Sequence, residues 1–131
     1  MKKNYELGAL ILRVVLGLSF LTHGIIKFQT GIAGTAGWFD SIGIPGFLAY
    51  VVAIIEVVGG IAMILGIGTR IVALLFALVM LGAIFTVKIP VGFVGNGQMA
   101  GWELDLAFLA MAVYLLMNGS EKFALLTKKN N

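Results

Sequence analysis

Residues 47–66 read FLAYVVAIIEVVGGIAMILG, twenty positions with a single charge, Glu56. The run does not alternate polar and apolar, as a barrel strand with one wet face must. Its length is close to the roughly 20 apolar residues that carry a helix across the hydrocarbon of a bilayer. It reads as a membrane-spanning helix, and runs of the same kind flank it. One covers about 7–28 and is interrupted by Arg13, His23 and Lys27. Another covers 71–87 without a charge, and a last one covers 102–117 with Glu103 and Asp105 in its first turn. The expectation is all-α: a single domain over 1–131 forming an integral membrane four-helix bundle.

Composition agrees. Of 131 residues, 60% are hydrophobic and 11% charged, with a mean hydropathy of +1.07. A soluble domain of this size has much surface for its core and needs a charged coat, for which there are too few charges here. The absence of cysteine excludes disulfides, thiol redox chemistry, thiolate metal sites and Cys-ligated iron–sulfur clusters. The single histidine excludes bis-His haem ligation within one chain. A net charge of +3 without a basic, aromatic-rich surface gives no basis for nucleic-acid binding. The lipid bilayer is the partner the composition names. Lys2 and Lys3 ahead of an apolar stretch imitate a signal peptide, but Arg13 inside it and the lack of a small-x-small cleavage site argue against one. No internal repeat is evident.

The connections differ in character. Gln29 to Pro45 reads as a long Gly-rich loop with Trp38 and Phe39, suited to the headgroup region. Gly66-Ile67-Gly68-Thr69-Arg70 is short enough to make the second and third spans an antiparallel hairpin, its glycines ending one helix and Thr69 capping the next. Lys88 to Gly101, with Pro90 and four glycines, reads as irregular. Lys2, Lys3, Arg70, Lys122, Lys128 and Lys129 fall on one side of the bilayer and Lys27 and Lys88 on the other. The bias predicts both termini in the cytoplasm.

Charges inside apolar spans are the informative residues, because an ion in hydrocarbon needs a partner or a wet cavity. Depths counted at about 1.5 Å per residue place Arg13 and Glu56 within one or two turns of each other, which predicts an Arg13–Glu56 pair. Such a pair fixes helix register, lines a ligand cavity, or does both. At 100° per residue Arg13, Gly17, Phe20, Gly24 and Lys27 share one face of the first span, and Ala49, Ala53, Glu56, Gly60 and Met63 one face of the second. The small residues there also suit plain tight packing. A second polar cluster gathers at the outer end: His23, Lys27, Lys88, Asn96, Gln98, Trp102, Glu103 and Asp105. Glu103 and Asp105 lie about 200° apart around their helix, and Glu103, sharing a face with Ala107, Ala110 and Tyr114, is taken as the inward one. His23 and Glu103 would then relay protons or bind a quinone carbonyl. The competing reading is interfacial anchoring, strongest for Lys27, Lys88 and Asp105. A metal site of His23, Glu56 and Glu103 has no support from spacing.

The order of these features resembles the DoxX family over nearly the whole chain. Leu12-Arg13 with Gly17, Phe20, Gly24 and Lys27 resembles its first helix. Ile55-Glu56, Gly59-Gly60, Leu65-Gly66 and Thr69-Arg70 resemble its second helix and tight link. Asn96-Gly97 followed by Trp102-Glu103-Leu104 resembles its Asn-Gly-Gly-x-Glu stretch, with extra residues before Glu103. The resemblance implies a four-helix membrane protein. Its members include the small subunit type of a thiosulfate:quinone oxidoreductase and bacterial proteins linked to catechol, quinone and oxidative-stress resistance. With no electron carrier of its own, the chain would use a diffusible quinone or the cofactor of a soluble or membrane redox partner. His23 and Glu103 are then the expected catalytic residues, and Arg13, Lys27, Glu56, Asn96 and Trp102 the expected substrate-binding ones. Two other roles stay open: a non-catalytic membrane anchor or scaffold for a soluble partner, and a small-molecule transporter, for which a homo-oligomer would supply the path.

Overall fold

The computed structural model describes residues 4–121 and 124. The lysines at 2, 3, 122, 128 and 129, used above for orientation, lie outside that set. The described chain is all-α: α1 (Asn4–Thr30), α2 (Ile32–Ser41), α3 (Phe47–Leu65), α4 (Thr69–Ala83) and α5 (Trp102–Asn118). A π-turn at Ile84–Lys88 and a 3-10 turn at Ile89–Val91 extend α4. Three helical stretches, Asn4–Thr30, Phe47–Leu65 and Thr69–Val91, are long and apolar enough to cross a membrane. The fourth apolar run is α5, about 25 Å long and at the short end for a crossing.

Two expectations are corrected. Residues 32–41 are helical rather than loop: Ile32, Ala36 and Phe39, spaced four and three apart, form a half-buried apolar stripe along one side of a short helix. Asp40 at its end accepts the Gly46 N–H at 2.8 Å, setting a negative charge at the start of α3, where the helix dipole favours it. Thr69 is not the cap of α4. Gly68 holds that place in left-handed conformation (φ 59°), and Thr69 is the first helical residue. Gly66 (φ 76°) ends α3 in a Schellman motif, with Ile67 N–H on Ala62 O at 2.8 Å and Gly66 N–H on Met63 O at 3.2 Å.

α1 and α3 run antiparallel with their backbones in near contact. A Cβ on Gly17 would stand 2.8 Å from Gly60 O, and one on Gly60 would stand 2.7 Å from Leu21 N. Without a hydrophobic force between helices in lipid, such close approach is a main source of cohesion. Gly59 gives α4 the same access, receiving the Phe76 ring. Phe76 stacks on Phe20 at 3.8 Å, and Phe108 of α5 meets Phe20 edge-on at 5.9 Å, so three helices join in one aromatic core with Leu16, Met63 and Leu115. The outer face is apolar too: Val58, Ile71, Leu78 and Phe85 are all more than half exposed, a surface that lipid covers. Hydroxyls on these helices satisfy themselves, Ser19, Thr22, Thr30 and Thr86 each donating to the carbonyl four residues back.

Pro90 explains the change of helix type after Ala83. Its ring would clash with the carbonyl four residues earlier in a regular helix, and the widened turn before it removes the conflict. The loop that follows is built, not loose. Asn96 Oδ1 accepts the N–H groups of Gln98 (3.0 Å) and Met99 (2.9 Å). The first N–H groups of α5, from Trp102 and Glu103, donate to Gly92 O (3.1 Å) and Phe93 O (3.0 Å), so backbone carbonyls replace a capping side chain. Gly101 sits where any Cβ would collide with those carbonyls.

Candidate functional site

Lys27 Nζ donates to Glu56 Oε1 at 2.7 Å. Glu56 is the central residue of α3. Gly24, one turn before Lys27, brings α1 close enough: a Cβ there would meet Glu56 Cβ at 3.0 Å and Val57 Cγ2 at 2.7 Å. The Glu56 side chain is almost closed off (6% exposed), whereas that of Lys27 keeps 25%. An ion pair thus stands level with the middle of an apolar helix, its cation reachable from outside the bundle and its carboxylate inside. The arrangement can donate a hydrogen bond from Lys27 and store a proton on Glu56. His23, one turn from Lys27, is close enough to bear electrostatically on Glu56 but is itself exposed.

The expected Arg13–Glu56 pair is not formed. Arg13 is 1% exposed and lies beside the α3–α4 turn, where a Cβ on Gly66 would stand 2.9 Å from its Nη1. Gly66 is about ten residues, or about 15 Å of helix, from Glu56. Arg13 Nη1 donates to Ser120 O and Ser120 Oγ, each at 3.4 Å, and so ties the segment after α5 to the end of the bundle. Depth counting failed because α1 begins at Asn4 and overhangs α3, so the two helices are not level at that end.

At the other end the inward carboxylate is Asp105, not Glu103. Asp105 is 9% exposed and lies 3.7 Å from Lys88 Nζ, while Glu103 is exposed. Helical phase held the signal: Asp105 shares its face with Phe108, Ala112 and Leu115, the aromatic and aliphatic core, whereas the alanines grouped with Glu103 do not mark burial. No hydrogen bond or ion pair joins His23 to Glu103. Asn96 has its side-chain oxygen engaged in its own loop. Trp102 is half-buried against Phe93, ring centroids 4.6 Å apart. The structure therefore joins Lys27 to Glu56, leaves His23 exposed one turn away, sets Arg13 apart as a clamp, and places Lys88 beside Asp105.

A small all-α membrane protein with an ion pair between the last turn of one apolar helix and the middle of another is the class that fold and site define. The chain belongs to the DoxX family, whose pattern matches residues 8–89. It is 46% identical over 125 residues to a Bacillus subtilis protein titled "Putative oxidoreductase CatD", covering 95% of this chain and 89% of that one. It is 33% identical over 128 residues to an uncharacterized membrane protein of Mycobacterium tuberculosis, covering 90% of this chain and 78% of that one. It is 39% identical over 77 residues to the inner membrane protein YqjF of Escherichia coli, covering 59% of this chain and 58% of that one. No solved structure matches.

Proposed function

We propose that this protein is the membrane component of a redox or detoxification system that handles quinone- or catechol-type compounds, with both termini in the cytoplasm. The observation that carries the reading is the Lys27–Glu56 pair, a donor and a proton store placed level with the middle of an apolar helix. A quinone entering from the bilayer takes up two electrons and two protons to become a hydroquinone. Lys27 hydrogen-bonds the ring oxygen as charge builds on it, and Glu56, protonated each time from the surroundings through His23, passes on the two protons in turn. The electrons come from a partner oxidoreductase or from the quinone pool, since the chain lacks thiols and a second histidine. The Bacillus subtilis relative's title supports the class of reaction.

The test is growth of a bacterium lacking this gene, complemented with variants, on added benzoquinone or catechol. Lys27→Met and Glu56→Gln should lose resistance at unchanged membrane levels, His23→Ala should lose part of it, and Glu103→Gln should resemble the parent. Full resistance in both Lys27→Met and Glu56→Gln would overturn the reading and leave a scaffold or anchor role.

A further inference from the structure

We propose that the hairpin between α4 and α5, residues 92–101, lies in the boundary between headgroups and hydrocarbon with Val94 and Met99 in the lipid. It is then a membrane-surface contact and not a loop standing in water. From Ile89 to Trp102 no residue is charged. Val94 is 74% exposed and Met99 41%. Gly95 and Ala100 form an antiparallel bridge, and side chains alternate along paired strands. Val94 and Met99 each precede a bridge partner by one residue, so they share one face. The patch continues the lipid-facing surface of the bundle: Phe85 and Ile89, both more than half exposed, lie in the turns that lead into it. Lys88, the charge at its base, is turned inward, donating to Ala100 O at 2.9 Å and standing 3.7 Å from Asp105.

The second observation is the state of the hairpin's backbone. A loop in water can leave its N–H groups to solvent, whereas one at the edge of hydrocarbon must satisfy them from within. Here the N–H groups of Gln98, Met99, Gly101, Trp102 and Glu103 all donate inside the chain, to Asn96 Oδ1 and to the carbonyls of Val94, Gly92 and Phe93. Phe93 and Trp102, edge to face with centroids 4.6 Å apart, put two aromatic rings at the same level, as in the aromatic belts of membrane proteins. The exposed charge beside them, Glu103, then marks the wet side of the boundary. The contact also answers the shortness of α5. At about 25 Å that helix falls short of a hydrocarbon core of about 30 Å, and an apolar hairpin resting at its start extends the covered surface.

The chain has no cysteine, so single-site labelling needs no background removal. Val94→Cys, Met99→Cys, Phe85→Cys and Glu121→Cys are each made in the full chain, labelled with a nitroxide and placed in phosphatidylcholine vesicles. All four positions are exposed, so the changes leave the packing intact. Collision of each label with oxygen, which concentrates in lipid, is compared with collision with a water-soluble nickel chelate. Labels at 94 and 99 should follow the one at 85, relaxed by oxygen and shielded from nickel, and the one at 121 should show the reverse. Nickel access at 94 and 99 equal to that at 121 would place the hairpin in water and overturn the proposal. Shielding from both reagents would overturn it as well, because protein would then cover the face; spin–spin broadening between labels would identify that cover as a second copy of this chain.

Discussion

Lys27 Nζ meets Glu56 Oε1 at 2.7 Å, joining the last turns of α1 to the middle of α3, with Gly24 providing the approach. In hydrocarbon neither charge is stable alone, so the pair sets the register of the two helices as well as offering a site. Removing either partner leaves the other without its counter-charge: Glu56 can take up a proton, and Lys27, 25% exposed, can lose one or reach out of the bundle.

Thermal unfolding in detergent should therefore show both Glu56→Leu and Lys27→Leu destabilised. The double variant should recover part of the loss, with a coupling of about 1–3 kcal/mol. Strictly additive losses would show that the contact contributes no stability.

Arg13 and Glu56 should behave as strangers. Their double-variant cycle should couple by less than ~0.5 kcal/mol, as expected of sites without shared partners. Arg13→Leu should instead release the segment after α5, seen as faster protease cleavage near Ser120. A strong Arg13–Glu56 coupling would contradict the observed separation.

Gly60→Val should be among the most damaging changes to an uncharged residue. Its side chain would meet Leu21 N and Gly17 O below 3 Å, and overpacking of this kind costs about 1–3 kcal/mol or more. Gly82→Ala, where nothing lies within 4 Å of the added carbon, should be nearly silent. The measurement is the melting temperature of each purified variant.

Asn96 holds its loop through two backbone N–H groups. Asn96→Asp keeps the acceptor and should preserve slow hydrogen exchange at Gln98 and Met99. Asn96→Ala should accelerate it at a cost of about 1 kcal/mol per lost bond, with quinone resistance retained. Loss of resistance in both variants would make Asn96 a ligand-binding residue after all.

For orientation, reporters fused after Asn131 and in the 66–70 turn should behave as cytoplasmic, and those near Gly34 and Asn96 as external. A cytoplasmic signal at Gly34 would overturn the ends-in arrangement.

The sequence by itself determined the all-α membrane class, the apolar runs and the tight Gly66–Gly68 hairpin, because hydropathy, length and left-handed glycines are local properties. It also marked Lys27 and Glu56 as unusual, since a charge in an apolar run is visible without coordinates. Which charge meets which was decided only by tertiary structure. α1 overhangs α3 at one end, so Arg13 lies about 15 Å of helix from Glu56 and clasps Ser120, and close approach at Gly24 gives Glu56 to Lys27. The choice of Asp105 over Glu103 was partly legible, since Asp105 shares its helical face with Phe108, Ala112 and Leu115, but that this face meets the core follows from how Phe108 packs on Phe20. Register between helices is a property of contacts far apart in sequence, and no run of residues states it.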